Sequence, residues 1–292
     1  MKITNLANLP DALVRAVAND PYVGGGDISA TTLIGPPQIN VLRRQHSDEL
    51  TEDVQDRIWS LLGQAVHSIL ERANLLGITE ERLYMPVLDW QLSGQFDRLI
   101  FSPEGVLQDY KVTSVWSFIG GVKPEWERQL NVLAELCRFN GHDVQKLEII
   151  TIYRDWSRKK ALNGNGYPPH QVATIHVPIW SPEKARVYIE ERVALHQWAL
   201  AGAPVSCSDE ERWYKGSTWA VDKAGRVSAL RVLDSEEEAM AWAREKGHCK
   251  EDDSLKAGMS IVHRPGEYTR CEDYCPVRNF CPQHHNEKLT TK

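Results

Sequence analysis

The sequence predicts an α/β protein, with a mixed central sheet flanked by helices and a smaller ββαβ unit towards the C-terminus. Three observations predict it. An apolar stripe at helical spacing (Ile58, Leu61, Leu62, Ala65, Ile69, Ala73) is followed by three strand-like runs, around 83–92, 94–101 and 105–112. A near-continuous β-branched run, KLEIITIYR, reads as a buried strand. Between and after these come segments of helical length, 123–140 and 182–201.

The elements follow in order. Residues 1–46 read as an irregular segment packing on the core, with a short helix near 11–19 and a Gly/Pro-rich stretch, YVGGGDISATTLIGPPQIN. A long helix is expected next, capped by Ser47, with Glu49, Glu52 and Asp53 at its positive end and Gly77 as its stop. SPEG marks the turn before the third strand-like run. Gly141 ends the second helix, QVATIHVPIW is a further strand, and the core extends over 47–206. From 207 to 292 the chain reads as hairpin (STWAVDKAGRVSALRVL), helix (SEEEAMAWAREKG), strand (GMSIVHR) and cysteine cluster. There is no internal repeat.

Composition narrows the class. The 292 residues are 42% hydrophobic and 25% charged, as in an ordinary globular protein of one large or two modest domains. No apolar run has the length of a membrane span, and the N-terminus lacks the apolar core of a signal peptide, so the expected location is cytoplasmic. A net charge of −6 argues against a generally basic nucleic-acid coat. It leaves room for a local basic groove; Arg43-Arg44, Arg158-Lys159-Lys160 and the arginines between 264 and 278 are each a solvated face or a DNA contact.

The chemistry concentrates in GQFDRLIFSPEGVLQDYKVT. Strand residues two apart share a face, so Asp109 and Lys111 project together, beside Asp97 on the neighbouring strand. Alone, Asp109 and Lys111 make an exposed salt bridge worth under about 1 kcal/mol, and His67 in GQAVHSILER is a polar residue at the margin of a stripe. Together, an imidazole and two carboxylates suit Mg²⁺ or Mn²⁺, and the lysine suits a phosphate gaining charge. Glu71, four residues after His67, shares its helical face and reads as a supporting or structural residue.

The order GxxxH, GxxD, DxK and then Gln129 resembles the PD-(D/E)xK nucleases of the RecB exonuclease type. The wider pattern (GPPQINVLRRQH, DYKVTSVWSF, ERQLN, YRDW and the cysteine tail) is similar to phage and prophage exonucleases related to the CRISPR-adaptation nucleases. The resemblance implies a restriction-endonuclease-like core. It implies metal ligation by His67, Asp97, Asp109 and the Tyr110 carbonyl, with Lys111 acting on the attacking water. It also implies that Gln129 touches DNA or the lysine. Leu133 departs from the pattern, standing where a tyrosine is expected. In YRDW, Arg154 could meet a phosphate and Trp156 a base, or the two could be an Arg–Asp pair and a packed tryptophan.

RCEDYCPVRNFCPQ places Cys271, Cys275 and Cys281 in a C-x3-C-x5-C run, which in a reducing compartment reads as metal binding. Cys207 is the preferred fourth ligand; Cys249, then His284 and His285, are the alternatives. The resemblance implies a [4Fe-4S] cluster, favoured also by the Cys-Pro steps, with structural Zn²⁺ as the alternative. Its expected role is to staple the C-terminus, with Arg264, Arg270 and Arg278 available to phosphates.

Taken together, the resemblance implies a metal-dependent DNA exonuclease acting on linear ends or single strands, in phage recombination or end processing, in a bacterial or phage-infected cell. The alternatives are a structure-specific or adaptation-type endonuclease with partners, and a non-catalytic DNA-end-binding module. No GxxxxGK[ST] motif is present, so a helicase, like an annealing protein, would be a separate recombination partner.

Overall fold

The computed structural model describes residues 2–19, 24–73, 76–101 and 103–290. It is mixed α/β, and its contacts divide the chain into two compact units, Met1–Val205 and Ser206–Lys292. Among the described residues no helix is long and apolar enough to cross a membrane.

The first unit is organised by a five-stranded sheet. Its strands, in spatial order, are Val172–Val177, Lys146–Tyr153, Val106–Thr113, Arg98–Ile100 and Ile78–Thr79. Lys146–Tyr153 and Val106–Thr113 are parallel, in register from Val106 opposite Lys146 to Thr113 opposite Tyr153. A parallel pair needs a crossover, and the Pro124–Phe139 helix supplies it. Every residue of that helix from Leu130 to Cys137 is buried, so it is an internal helix rather than one with a single apolar stripe.

A second sheet of three strands, Ile28–Ser29, Trp90–Gln95 and Arg82–Val87, lies in the same unit. It corrects the strands expected at 83–92 and 94–101. Arg82–Val87 and Trp90–Gln95 pair as a hairpin across Leu88 and Asp89, with Leu88 at φ 50°. The chain then leaves the strand at Phe96, which is sunk in the core, and Arg98–Ile100 joins the other sheet. Gly94 is required here: a Cβ would stand 2.6 Å from Leu133 Cδ2 and from Leu136 Cδ1. Leu133 therefore fills a core position closed by the glycine strand, where the larger ring of a tyrosine would not fit.

The long helix begins later than expected. Ser47 caps nothing; Thr51–Asp53 pairs in parallel with Lys2–Thr4, a 3-10 turn follows at Val54–Arg57, and the α-helix runs Ile58–Arg72. Asp53 ties this corner, accepting hydrogen bonds from Thr4 Oγ1 and from the Leu6 and Gln55 N–H groups. Gly77 lies outside the helix at φ +103°, where a Cβ would meet the Leu99 carbonyl at 2.2 Å. Residues 1–46 also carry more structure than the single short helix expected. Beside Asp11–Ala18, helices form at Ala30–Leu33 and Pro37–Gln45. Buried His196 and Arg192, on the Pro182–Leu200 helix, both hydrogen-bond the Leu33 carbonyl.

The second unit contains the ββαβ element. Thr218–Lys223 is central, flanked antiparallel by Arg231–Leu233 and Met259–Arg264, and the Glu236–Glu245 helix packs Ala239 and Ala243 onto Val221. Ser235 caps that helix by accepting from Glu238 N–H.

The turn feeding the Val106–Thr113 strand is sterically tight. A Cβ on Gly105 would lie 1.9 Å from the Asp143 carbonyl oxygen, while Gly105 O accepts from Gln145 and Lys146 N–H. Gly105→Ala is expected to destabilise the protein by about 1–3 kcal/mol, read as a lower urea midpoint at unchanged m-value.

Candidate functional site

The Val106–Thr113 strand carries Leu107 and Asp109 into the interior, 0% and 3% exposed. Lys111 follows on the same face, and Lys111 and Val112 open onto a cleft of about 740 Å³. The other wall is the Ile58–Arg72 helix, contributing Ser60, Gly63, Gln64, His67, Ser68 and Glu71. These positions, three or four apart, form one helical face.

His67 sits at the centre. Its Nε2 lies 3.0 Å from the Tyr110 carbonyl, and its Nδ1 faces Asp97 Oδ1 at 3.3 Å and Glu80 Oε1 at 3.5 Å. Asp97 also accepts from Tyr110 N–H at 2.5 Å through Oδ2. The hydrogen bond to Asp97, then that to Glu80, raise the imidazole pKa to about 10 against the opposing pull of burial. Among the described residues, His67, Glu80 and Asp97 form a group whose ligand atoms all lie within 4.8 Å of one another.

Glu80 was not anticipated from the sequence. It occupies a left-handed backbone conformation, φ 51°, between Ile78–Thr79 and Arg82–Val87, with its N–H bonded to the Asp97 carbonyl. A non-glycine residue held there is strained. A relay orients its carboxylate: Gln95 Nε2 donates to Glu80 Oε2 at 2.8 Å, and Arg82 Nη2 donates to Gln95 Oε1 at 2.9 Å. Glu71, weighed as the supporting acid, also lines the cleft but is exposed and lies outside the group of three.

Asp109 turns to a second cluster. Gln129 Nε2 donates to its Oδ1 at 3.2 Å, and Lys111 Nζ donates to Gln129 Oε1 at 3.3 Å. Lys111 Nζ lies 2.7 Å from Asp109 Oδ2, so the buried carboxylate is held by an ion pair. Burial lifts the Asp109 carboxyl to about 6. For Lys111 burial pulls the pKa down, but the charge and hydrogen bond of Asp109 and the charge of Asp97 together outweigh it, and the ammonium stays above its ordinary value.

The residues fit a hard divalent cation. An imidazole touching two carboxylates, with a carbonyl beside it, is a suitable donor set. His67, Asp97 and the Tyr110 carbonyl converge with Glu80; Asp109 is instead directed at Lys111 and Gln129.

The other candidates are placed as follows. Arg43 and Arg44 are exposed in the last turn of the Pro37–Gln45 helix, where their charge complements the helix dipole. Trp156 is half-buried and its indole N–H donates to the Pro168 carbonyl. Arg154 stacks its guanidinium 4.3 Å above the exposed ring of Trp59.

In the second unit Cys207, Cys271, Cys275 and Cys281 come together, none of them in a disulfide. Burial, then Glu211, then the charges of Cys281, Cys271 and Cys275 push the Cys207 thiol up to about 12. Among the described residues no three of these sulfurs lie within 4.8 Å of one another. Gln283 clasps Cys207, its Oε1 accepting from Cys207 N–H at 2.9 Å and its Nε2 donating to Cys207 O at 3.0 Å. Cys249 packs instead with the ββαβ core, and His284 faces Glu272 at 3.9 Å.

No protein-family model and no curated protein matches the chain. Solved structures similar to part of it include the following. The crystal structure of SSO0001 is 15% identical over 63% of this chain and 85% of that one, at a TM-score of 0.45. An alkaline exonuclease, LHK-Exo from Laribacter hongkongensis, is 12% identical over 59% and 89%, at 0.38. LHK-Exo in complex with dAMP is 13% identical over 60% and 89%, at 0.37.

Two outcomes follow from the group of three. Mn²⁺ titrated calorimetrically into the protein binds, and Glu80→Gln weakens that binding by about 10-fold or more; an unchanged affinity refutes the inclusion of Glu80. The His67 ring is charged below about pH 10 and must be neutral to take a metal. Binding near pH 7 therefore releases close to one proton, and affinity rises with pH, measurable as heats that scale with buffer ionisation enthalpy.

Proposed function

We propose that the chain is a divalent-metal-dependent nuclease that hydrolyses DNA phosphodiester bonds, acting as an exonuclease on linear ends or single strands. One observation carries this reading: Lys111, paired with the buried Asp109, and the His67–Glu80–Asp97 group line a single cleft. A metal-binding half beside an ammonium is the arrangement that a phosphodiester transition state requires.

His67, Asp97 and Glu80, with the Tyr110 carbonyl, would hold Mg²⁺ or Mn²⁺, and the Asp109 carboxylate completes the acidic side. Such an ion supplies charge neutralisation at the scissile phosphate and a lowered pKa for its water. Lys111 stays protonated at neutral pH, because Asp109 holds its pKa up, and its positive charge meets the charge growing on the phosphate oxygens. Gln129 is a positioning residue: it bonds Asp109 and Lys111 at once and fixes the distance between them. Asp97 joins the two halves through His67 and Tyr110 N–H.

For the cysteines we propose a [4Fe-4S] cluster on Cys207, Cys271, Cys275 and Cys281, with zinc as the alternative. Their mutual influence supports one shared centre. Thiolates on a single zinc would sit about 3.8 Å apart, given a Zn–S bond of about 2.3 Å, whereas several irons would spread them more widely. Each thiol must lose its proton to bind, so the centre fills at the cost of four protons.

Folded Lys111→Ala and Asp97→Asn proteins are expected to lose about 10³-fold or more of the Mg²⁺-dependent cleavage of end-labelled linear DNA, with closed circles resistant even to the unaltered enzyme. Wild-type-like cleavage by either variant would sink the assignment; cutting of closed circles would turn it to an endonuclease. Anaerobically purified protein is expected to be brown, and Cys207→Ser to bleach it while Cys249→Ser does not. A colourless preparation with stoichiometric zinc decides for the alternative.

A further inference from the structure

We propose that Trp59 and Arg154 form a stacking subsite for an unpaired nucleobase at one end of the cleft. The inference rests on the nuclease reading and adds to it the residues that grip the strand.

Trp59, Gly63 and His67 stand at i, i+4 and i+8 of the Ile58–Arg72 helix, hence along one face. Trp59 lies about 12 Å from His67 along the helix axis. Gly63, between them, lines the cleft, and a Cβ there would meet nothing within 4 Å. The helix thus leaves open space at Gly63, between the imidazole and the indole.

The indole is 57% exposed. The Arg154 guanidinium lies over it at 4.3 Å. Among the described residues the guanidinium makes no hydrogen bond or ion pair, so its N–H groups are available to a phosphate. A tryptophan ring with an arginine stacked on it, the N–H groups left to a phosphate, is a pairing that holds single-stranded nucleic acid without reading its sequence.

The arginine is delivered there by the sheet. Arg154 N–H donates to the Thr113 carbonyl at 2.9 Å, one residue beyond the parallel strands. Asp155 then accepts from Ser114 Oγ at 2.7 Å and from Val115 N–H at 2.8 Å. These bonds fasten the segment to the end of the strand that carries Lys111, so Arg154 and the lysine are held by one strand end. The adjacent Trp156 is half-buried, its indole N–H donating to the Pro168 carbonyl.

The test is the anisotropy of a fluorescein-labelled single-stranded oligonucleotide, with Ca²⁺ replacing Mg²⁺ to limit cleavage. Trp59→Ala is expected to raise Kd by about 10-fold and Trp59→Phe to restore most of it. Moving a single abasic nucleotide along the strand should weaken wild-type binding at one position and leave Trp59→Ala indifferent to that position. Arg154→Gln should weaken binding to all sequences and reduce the salt slope by about one. If Trp59→Ala binds like wild type, or feels the same abasic penalty, the subsite is overturned while cleavage by the wild type leaves the nuclease reading intact. If the wild type neither binds nor cleaves DNA, both fall together.

Discussion

A charged pair in the interior sets the terms for the first unit. Asp109 is 3% exposed, on a strand hydrogen-bonded on both sides, and Lys111 lies on the same face, 2.7 Å from it. Isolated buried charges are costly, and a buried pair is tolerated when neighbouring groups complete its hydrogen bonds. Gln129 does this with both ends of its amide. Gln129, on the crossover helix, thereby faces the pair from outside the sheet.

The balance of charge then shapes the cleft. Glu80, Asp97 and Asp109 are three carboxylates opposed by Lys111 and a protonated His67. The imidazole proton occupies the place that a cation would take: it is what keeps two carboxylates together. Exchange of a single proton for a divalent ion would bring the group from net negative to near neutral. The strained backbone at Glu80 and its Gln95–Arg82 relay make sense as the means of holding that third acid in place.

The second unit uses a different device. Its core, around Val221, Ala239 and Ala243, is small, and the cysteine segment outside it is secured by polar and aromatic contacts. Arg212 donates to Cys271 Sγ at 3.4 Å and stacks on Tyr268 at 3.3 Å, while Gln283 clasps Cys207. A segment with so little apolar burial is one in which a metal centre would contribute strongly to order.

Local rules made much of this legible. The alternation of a strand put Asp109 and Lys111 on one face, helical spacing related His67 to the cleft-lining face, and a Gly-containing turn marked the entry to the central strand. The clustered cysteines were visible as spacing, and Cys207 was a choice among candidates. Glu80 was invisible because it belongs to no periodic pattern: a two-residue strand and a left-handed turn aim it, and its partner Asp97 is 17 positions away. The late start of the long helix was invisible too, because pairing of residues 51–53 with the N-terminal strand overrides the cap signal at Ser47. Arg154 and Trp59 meet across 95 positions for the same reason. Sequence determines the direction of a side chain relative to its own element, since bond geometry fixes that within a few residues. Which elements face one another is decided by the packing of the whole unit, and so the membership of the site belongs to the tertiary structure.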